Sequence, residues 1–319
     1  MTKKSIEFGI AIPQVFLNGR ADMNLICRSL EYAENLGYQG AWVQDQVAGE
    51  ASLLESVSLL CYASAVTKKM KLGVSVIVFP VRNAVQLAKS ISSLDHMSNG
   101  RVILGIGLGP VFAGDNYFNI FGTSADEALK RFNEGLEVMK KMWTQPLTNL
   151  KGEFYNLKNA AMEPKPIQKP HPPIWFGGQH PKALERTVKK ADGFMAAGPT
   201  PTKLFAKNVV LLNRFMNEYN RDPESLPISK RVYLAVDNDE KKAKSILDKF
   251  FEARYPWMID KNPNFVADIC VWGSPEKVTE GLIEVADAGA EMIVLNPIQD
   301  FVEQMERLSE EVIPFVKKN

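Results

Sequence analysis

The feature that most constrains this chain is the stretch Lys71–Gly109, KLGVSVIVFPVRNAVQLAKSISSLDHMSNGRVILGIGLG. Leu72 to Phe79 is a run rich in β-branched residues that Pro80 stops. Ala84, Leu87, Ala88, Ile91 and Leu94 then recur at helical spacing, with polar residues on the other side. Asn99-Gly100 ends that helix in the manner of a left-handed cap, and a second apolar run closes on Gly105, Gly107 and Gly109. Strand, amphipathic helix and strand make a βαβ unit, and the near-continuous apolarity of the strands predicts burial on both faces.

The unit repeats. Besides the two strands of this stretch, strands are predicted at Ile6–Ile12, Gly40–Val43, Ile174–Phe176, Phe194–Ala197, Ile228–Val236 and Glu291–Leu295. Asp22 is placed to cap a first helix that Gly37 ends. Later helices run at about 53–67, 183–191, 203–219, 239–254, 274–288 and 301–315. Another, capped by Thr123 or Ser124, carries Leu129, Phe132, Leu136, Met139 and Trp143 as a core stripe. Irregular insertions interrupt the alternation at about 110–124, 145–172 and 255–273, the second with KGEFYNL as one short strand. Eight strands alternating with helices over 1–319, without a linker, predict an α/β chain folded as one (β/α)8 barrel domain. A doubly wound open sheet is the rival, and the count of eight favours the barrel.

Of the 319 residues, 45% are hydrophobic and 24% charged, which suits a globular chain with a large core. A net charge of +1 gives no electrostatic reason to expect nucleic acid or a membrane surface as partner. The longest apolar runs fall short of a membrane span, and the N-terminus enters a strand pattern without room for a signal peptide. Cys27, Cys61 and Cys270 lie far apart and form no metal-ligand spacing. They read as reduced thiols of a cytoplasmic protein. His96, His171 and His180 are equally scattered, so a metal site is not expected.

In a barrel the working groups lie at the strand C-termini. That rule selects Asp45 and Gln46, Ser75 to Phe79, Gly105 to Asn116, Gly177 to His180, Ala196 to Gly198, and Asn296. The set is rich in glycines, amides and small hydroxyls, and Asp45 is its one acid directly at a strand end. Such a set suits a flat cofactor that carries the reaction itself. Gly177-Gly178 before a helix is the best anion site, because bare amides and the helix dipole there meet a phosphate. The plain reading of the pair is a turn. Asp45 either contacts a ligand or caps the next segment. GIGLG lacks the spacing of a dinucleotide fingerprint and reads as room for a ring against backbone. Phe112, Tyr117, Phe118 and Phe121 line an apolar mouth or pack the loop onto the barrel.

Four motifs, AENLGYQGAWVQD, the opening stretch, PPIWFGGQHPKALERTVKKADGF, and WGSPEKVTEGL with GAEMIVLNP, occur in an order that resembles the bacterial luciferase-like family of flavin- and deazaflavin-dependent oxidoreductases. The resemblance covers nearly the whole chain. It implies a barrel with a long insertion, commonly a homodimer, that binds FMN or coenzyme F420 at the strand C-termini. It places a non-prolyl cis peptide at Ser75-Val76 beneath the ring, Gly107 and Gly109 beside the ring, the phosphate on Gly177-Gly178, and Ala197 and Gly198 at the border of the phosphate pocket. Asp45 and Gln46 take the positions nearest the reaction. Many deazaflavin-using members have His where Gln46 stands, and several members have an acid where Pro110 stands. Gln hydrogen-bonds but does not carry a proton at neutral pH.

The implied activity is oxygen insertion with reduced FMN or hydride transfer with coenzyme F420, on a small organic substrate. A separate flavin or F420 reductase would supply electrons. The alternative is a flavin-binding protein of the same fold without turnover. A phosphosugar barrel enzyme would need a Lys, Glu or metal cluster that the strand ends lack.

Overall fold

The strands and helices alternate as the apolar runs require. A computed structural model describes residues 6–17, 19–110 and 115–317. β1 (Glu7–Ala11) is followed by α1 (Met23–Asn35), β2 (Gly40–Val43), α2 (Ser56–Val66), β3 (Lys71–Val78), α3 (Ala84–Met97) and β4 (Val102–Gly107). A one-turn helix, α4 (Asp115–Phe118), precedes α5 (Ala128–Thr144) and a hairpin, β5 (Thr148–Lys151) with β6 (Asn156–Ala160). The alternation resumes with β7 (Ile174–Gly177), α6 (Pro181–Lys190), β8 (Gly193–Ala196), α7 (Thr202–Glu218), β9 (Ile228–Val236) and α8 (Glu240–Arg254). Two short helices, α9 (Pro256–Lys261) and α10 (Phe265–Ile269), lead into β10 (Cys270–Gly273) and α11 (Pro275–Asp287). β11 (Met292–Pro297), α12 (Phe301–Arg307) and α13 (Ile313–Val316) complete the described chain.

Eight strands, in the order β1-β2-β3-β4-β7-β8-β9-β11, pair in parallel, and β11 returns to β1. That closure realises the expected barrel and removes the open sheet as a rival. β10 is a ninth strand. One edge of β9 pairs with β8 at Ile228–Lys230 and with β10 at Tyr233–Val236. The stretch expected to be irregular at 255–273 therefore holds two helices and a strand, in segments too short for their periodicity to show.

The hairpin departs from the single strand expected at KGEFYNL, because that sequence spans the turn. The Gly152 N–H donates to the Tyr155 carbonyl at 2.8 Å. The Glu134 carboxylate of α5 accepts from the amides of Glu153, Phe154 and Tyr155 at 3.0, 2.9 and 2.7 Å. Thr123 and Ser124 likewise hold a turn ahead of α5, each bonding Glu127, and the helix begins at Ala128. The final helix, expected as one run over 301–315, widens into a π turn at Leu308–Val312. Pro314 has no N–H to bond the carbonyl four residues back, which explains the widening.

Side chains alternate across the sheet. Inward positions bring together Trp42, Ile103, Trp175, Met195, Met292 and Val294 as the barrel's own core. The rings of Trp42 and Trp175 lie 5.6 Å apart. They fit because their strand neighbours carry no Cβ: one on Gly73 would lie 2.3 Å from the Trp42 ring, and one on Gly193 2.5 Å from the Trp175 indole nitrogen. Outward positions such as Phe8, Leu72, Leu104, Phe176 and Phe194 pack under the helices. Asn99 (φ 55°) and Gly100 (φ 75°) form the left-handed end of α3 that the sequence predicts. His96 Nε2 bonds the Lys165 carbonyl and Trp143 Nε1 the Ala88 carbonyl, both structural roles.

Candidate active site

The two tryptophans plug the barrel, so the strand C-termini above them form the mouth. At the end of β2, the Gln14 side chain stitches the first two strand ends. Its Nε2 donates to the Gln44 and Leu54 carbonyls, both at 2.8 Å, and its Oε1 accepts from the Gln44 N–H at 2.7 Å. Asp45 follows, with its side chain 1% exposed. Its carboxylate accepts from the Val78 N–H (2.9 Å), Ser56 Oγ (2.9 Å) and Arg82 Nη2 (2.5 Å). Arg82 also reaches Glu55 at 3.1 Å. Asp45 thus ties the ends of β2 and β3 to the first turn of α2, a wider structural role than capping one segment. Gln46 beside it is partly exposed and folds back toward Gly49. Arg82 did not stand out in the sequence; its place four residues beyond a strand end is the signal that it reaches back.

At the end of β3 the Ser75-Val76 peptide is cis, at the position the resemblance marks. The pairing with β4 slips by one residue there: Val74 faces Leu104, while Ile77 faces Ile106. Val76 consequently points into the barrel. Its methyl groups fill the space that side chains would take at Gly107 and Gly177, where an added Cβ would lie 2.8 and 3.0 Å away. Val78 does the same at Gly109, at 2.3 Å. The room left by Gly107 and Gly109 is therefore occupied by valines of β3, which differs from the expectation that these glycines open space for a ring directly. Ser75 and Val76 remain partly exposed at the mouth.

Gly177 ends β7, and Gly178 (φ 147°) turns the chain into α6. His180 is the N-cap, its Nδ1 accepting from the Lys182 N–H at 3.2 Å, and Pro181 takes the first turn. His180 is exposed, as a loop histidine is expected to be. Gly178 is exposed, and only the Ala183 Cβ, at 3.0 Å, lies close to where a side chain would begin. Across the next strand end, Ala197 is exposed, while Gly198 lies under the Tyr233 ring, 2.3 Å from an added Cβ.

On β9 and β11, Arg231 and Asn296 line a narrow cleft, with Tyr233 buried nearby on β9. Arg231 is 3% exposed and Asn296 5%. Burial pushes the Arg231 guanidinium down to about 10. The strand ISKRVYLAV carries two basic residues in an apolar run, and that is the sequence signal that points to Arg231. Its neighbour Lys230 faces outward and donates to the Thr200 carbonyl at 2.7 Å; burial pushes its pKa down to about 8. From the loop after β4, Tyr117 packs edge-on against Phe118 and tilted against Phe121. Burial, then the charge of Asp45, raises the Tyr117 pKa. Phe118 is fully buried, so it packs the loop, and Phe112 lies outside the described residues. Among the described residues no group of three or more His, Cys, Asp or Glu could hold a metal ion.

The model of the family described as luciferase-like monooxygenase matches residues 6–292. An FMNH(2)-dependent dimethylsulfone monooxygenase of Pseudomonas putida is 21% identical over 350 residues, covering 98% of this chain and 93% of the relative. A 5,10-methylenetetrahydromethanopterin reductase of Methanolobus tindarius is 28% identical over 237 residues, 73% of this chain and 69% of the relative. Among solved structures, an F420-dependent secondary alcohol dehydrogenase in complex with an F420-acetone adduct superposes with a TM-score of 0.83 at 18% identity, covering 98% of this chain and 99% of that one.

Proposed function

The chain belongs to the luciferase-like monooxygenase family, and on that premise we propose that it is an oxidoreductase that binds FMN or coenzyme F420 at the barrel mouth and acts on a small organic substrate. The observation that carries this reading is the end of β3. There the one-residue slip between β3 and β4 turns the Val76 side chain into the mouth, beside strand ends made of glycine and with the Asp45 carboxylate paired to Arg82. The relatives support both cofactors, since one is an FMNH(2)-dependent enzyme and a structural neighbour is in complex with an F420-acetone adduct.

When bound, the cofactor supplies the redox chemistry, oxygen insertion from reduced FMN or hydride transfer with F420. The chain's residues do the rest. Ser75 and Val76 give the ring an apolar rest, with Gly107 and Gly109 letting the valines of β3 seat behind it. Gly177 and Gly178 present bare amides at the N-terminus of α6 to the phosphate, and Ala197 and Gly198 border that pocket. Asp45 positions the end of β3 through Val78 and Arg82, and Gln46 hydrogen-bonds a ligand without moving a proton. Tyr117 and Phe121, packed together on the Asp45 side, exclude water there.

The same reading includes a homodimer, which the family resemblance implies. It also includes a separate flavin or F420 reductase as electron source, and a cytoplasmic location, which the three free cysteines support. Among the described residues no helix is long and apolar enough to cross a membrane. The test is a titration with FMN and with F420, followed by fluorescence. Binding of one, weakened by Gly178→Asp more than by Gly178→Ala, is the expected result. The alanine variant carries the same backbone strain without the charge. Failure of both cofactors to bind refutes the assignment.

A further inference from the structure

Several buried or half-buried cations in this fold donate to carbonyls, and others pair with carboxylates. Arg101 donates to the carbonyls of Ser64, Thr67, Met70 and Ser98, and Arg221 to those of Val188, Ala191 and Ser225. Arg231 breaks the pattern. Its guanidinium forms no hydrogen bond or ion pair among the described residues, and its Nε is buried and unpartnered. Asn296 is also orphaned: its Nδ2 donates to the Pro297 carbonyl, while its Oδ1 has no partner.

Arg231 and Asn296 share a narrow cleft with Gln14, Gln44 and Phe250. Tyr233, directly opposite Asn296 in the β9–β11 register, packs against Phe250 and Phe251 of α8. Arg254, at the end of α8, adds a second guanidinium near Arg231. It donates from Nε to the Tyr255 hydroxyl, and its Nη1 is unpartnered. Arg231 therefore faces the cleft with Arg254 close behind it, and among the described residues no carboxylate is paired to either. A buried guanidinium without a counter-charge is unfavourable, and a matching anion offsets that through paired, charge-assisted hydrogen bonds. In the ring of eight strands, β9 stands four places from β3 in either direction, so the strand that carries Arg231 lies across the barrel from the one that carries Ser75-Val76.

We propose that Arg231, backed by Arg254, binds an anionic oxygen group of the organic substrate, a carboxylate or sulfonate, and holds the rest of that molecule across the barrel mouth toward the end of β3. Asn296 Oδ1 accepts a hydrogen bond from a donor on the same ligand or from a water it traps. The substrate class is thus a small organic anion. The placement toward the ring rests on the oxidoreductase reading; the anion site itself does not.

A phosphate has the same chemistry and has a second source, the cofactor. The test separates the two. The probes are butyrate and butanesulfonate, with butan-1-ol as the neutral isostere, titrated calorimetrically into the protein with and without FMN. One anion is expected to bind about tenfold or more tightly than the alcohol. Arg231→Gln is expected to erase that preference, and Arg231→Lys, of similar length and equal charge, to keep part of it and the wild-type unfolding midpoint. FMN and riboflavin affinities should stay within about threefold of wild type in both variants. If Arg231→Gln weakens FMN but not riboflavin, the cofactor phosphate occupies the site and the proposal falls. If anions and alcohol bind alike, or if Arg231→Lys behaves as Arg231→Gln does, Arg231 is not an anion anchor. If neither FMN nor F420 binds, the oxidoreductase reading fails, while the titration of cofactor-free protein still decides the anion site.

Discussion

Replacing Asp45 separates a carboxylate that holds the mouth from one that works on a ligand. In Asp45→Ala the Val78 N–H loses its acceptor, and Arg82, with its side chain 18% exposed, keeps only Glu55 at 3.1 Å. A buried N–H left unpaired costs about 1–3 kcal/mol, and breaking a buried ion pair about 3–5 kcal/mol. Glu55 still accompanies the guanidinium and water reaches it, so the two losses together come to about 3–4 kcal/mol. Asp45→Asn keeps one acceptor oxygen for Val78 and should cost about half as much. Urea unfolding gives both values from the midpoint at constant slope. Arg82→Met should be non-additive with Asp45→Ala, with a coupling above about 1 kcal/mol. Wild-type midpoints in both Asp45 variants, with lost substrate turnover, would refute the structural assignment and make Asp45 a ligand contact.

Three further outcomes follow from the packing. Trp42→Ala should destabilise by about 3–5 kcal/mol. Trp42→Phe should cost less than about 2, because the buried indole N–H has no partner to lose; equal losses in thermal unfolding would contradict this. Gly107→Ala places a methyl 2.8 Å from Val76 Cγ2, about 1 Å inside contact, for a cost of about 1–3 kcal/mol. In a Val76→Ala background most of that cost should vanish, and additivity of the two changes would count against it. The lowered pKa of Lys230 means that the folded protein binds fewer protons than the unfolded chain between pH 8 and the ordinary lysine value. Its burial penalty is fully present below pH 8, and stability is regained as pH rises through that window. The stability difference between wild type and Lys230→Met should shift in favour of wild type over this range, and a flat difference would show that the ammonium is not desolvated.

How far the sequence alone reaches is clearest at the end of β3. The βαβ pattern of Lys71–Gly109, its helix cap at Asn99-Gly100 and the repeat to eight strands are local, because hydrophobic period and breakers act within a dozen residues. The barrel followed from them, and the family motifs located the cis bond at Ser75-Val76. The partners of each side chain were not local. That Val76 fills the space at Gly107 and Gly177 depends on a one-residue slip between β3 and β4. Asp45 and Arg82 meet only because two strand ends are neighbours in the ring. Arg231 stands in the sequence as one of two basic residues in an apolar strand. Strand parity turns it inward, and the closure of β9 against β11 and α8 takes its water away. Burial and the lack of a counter-charge are properties of the surroundings, and those exist only once the barrel has closed.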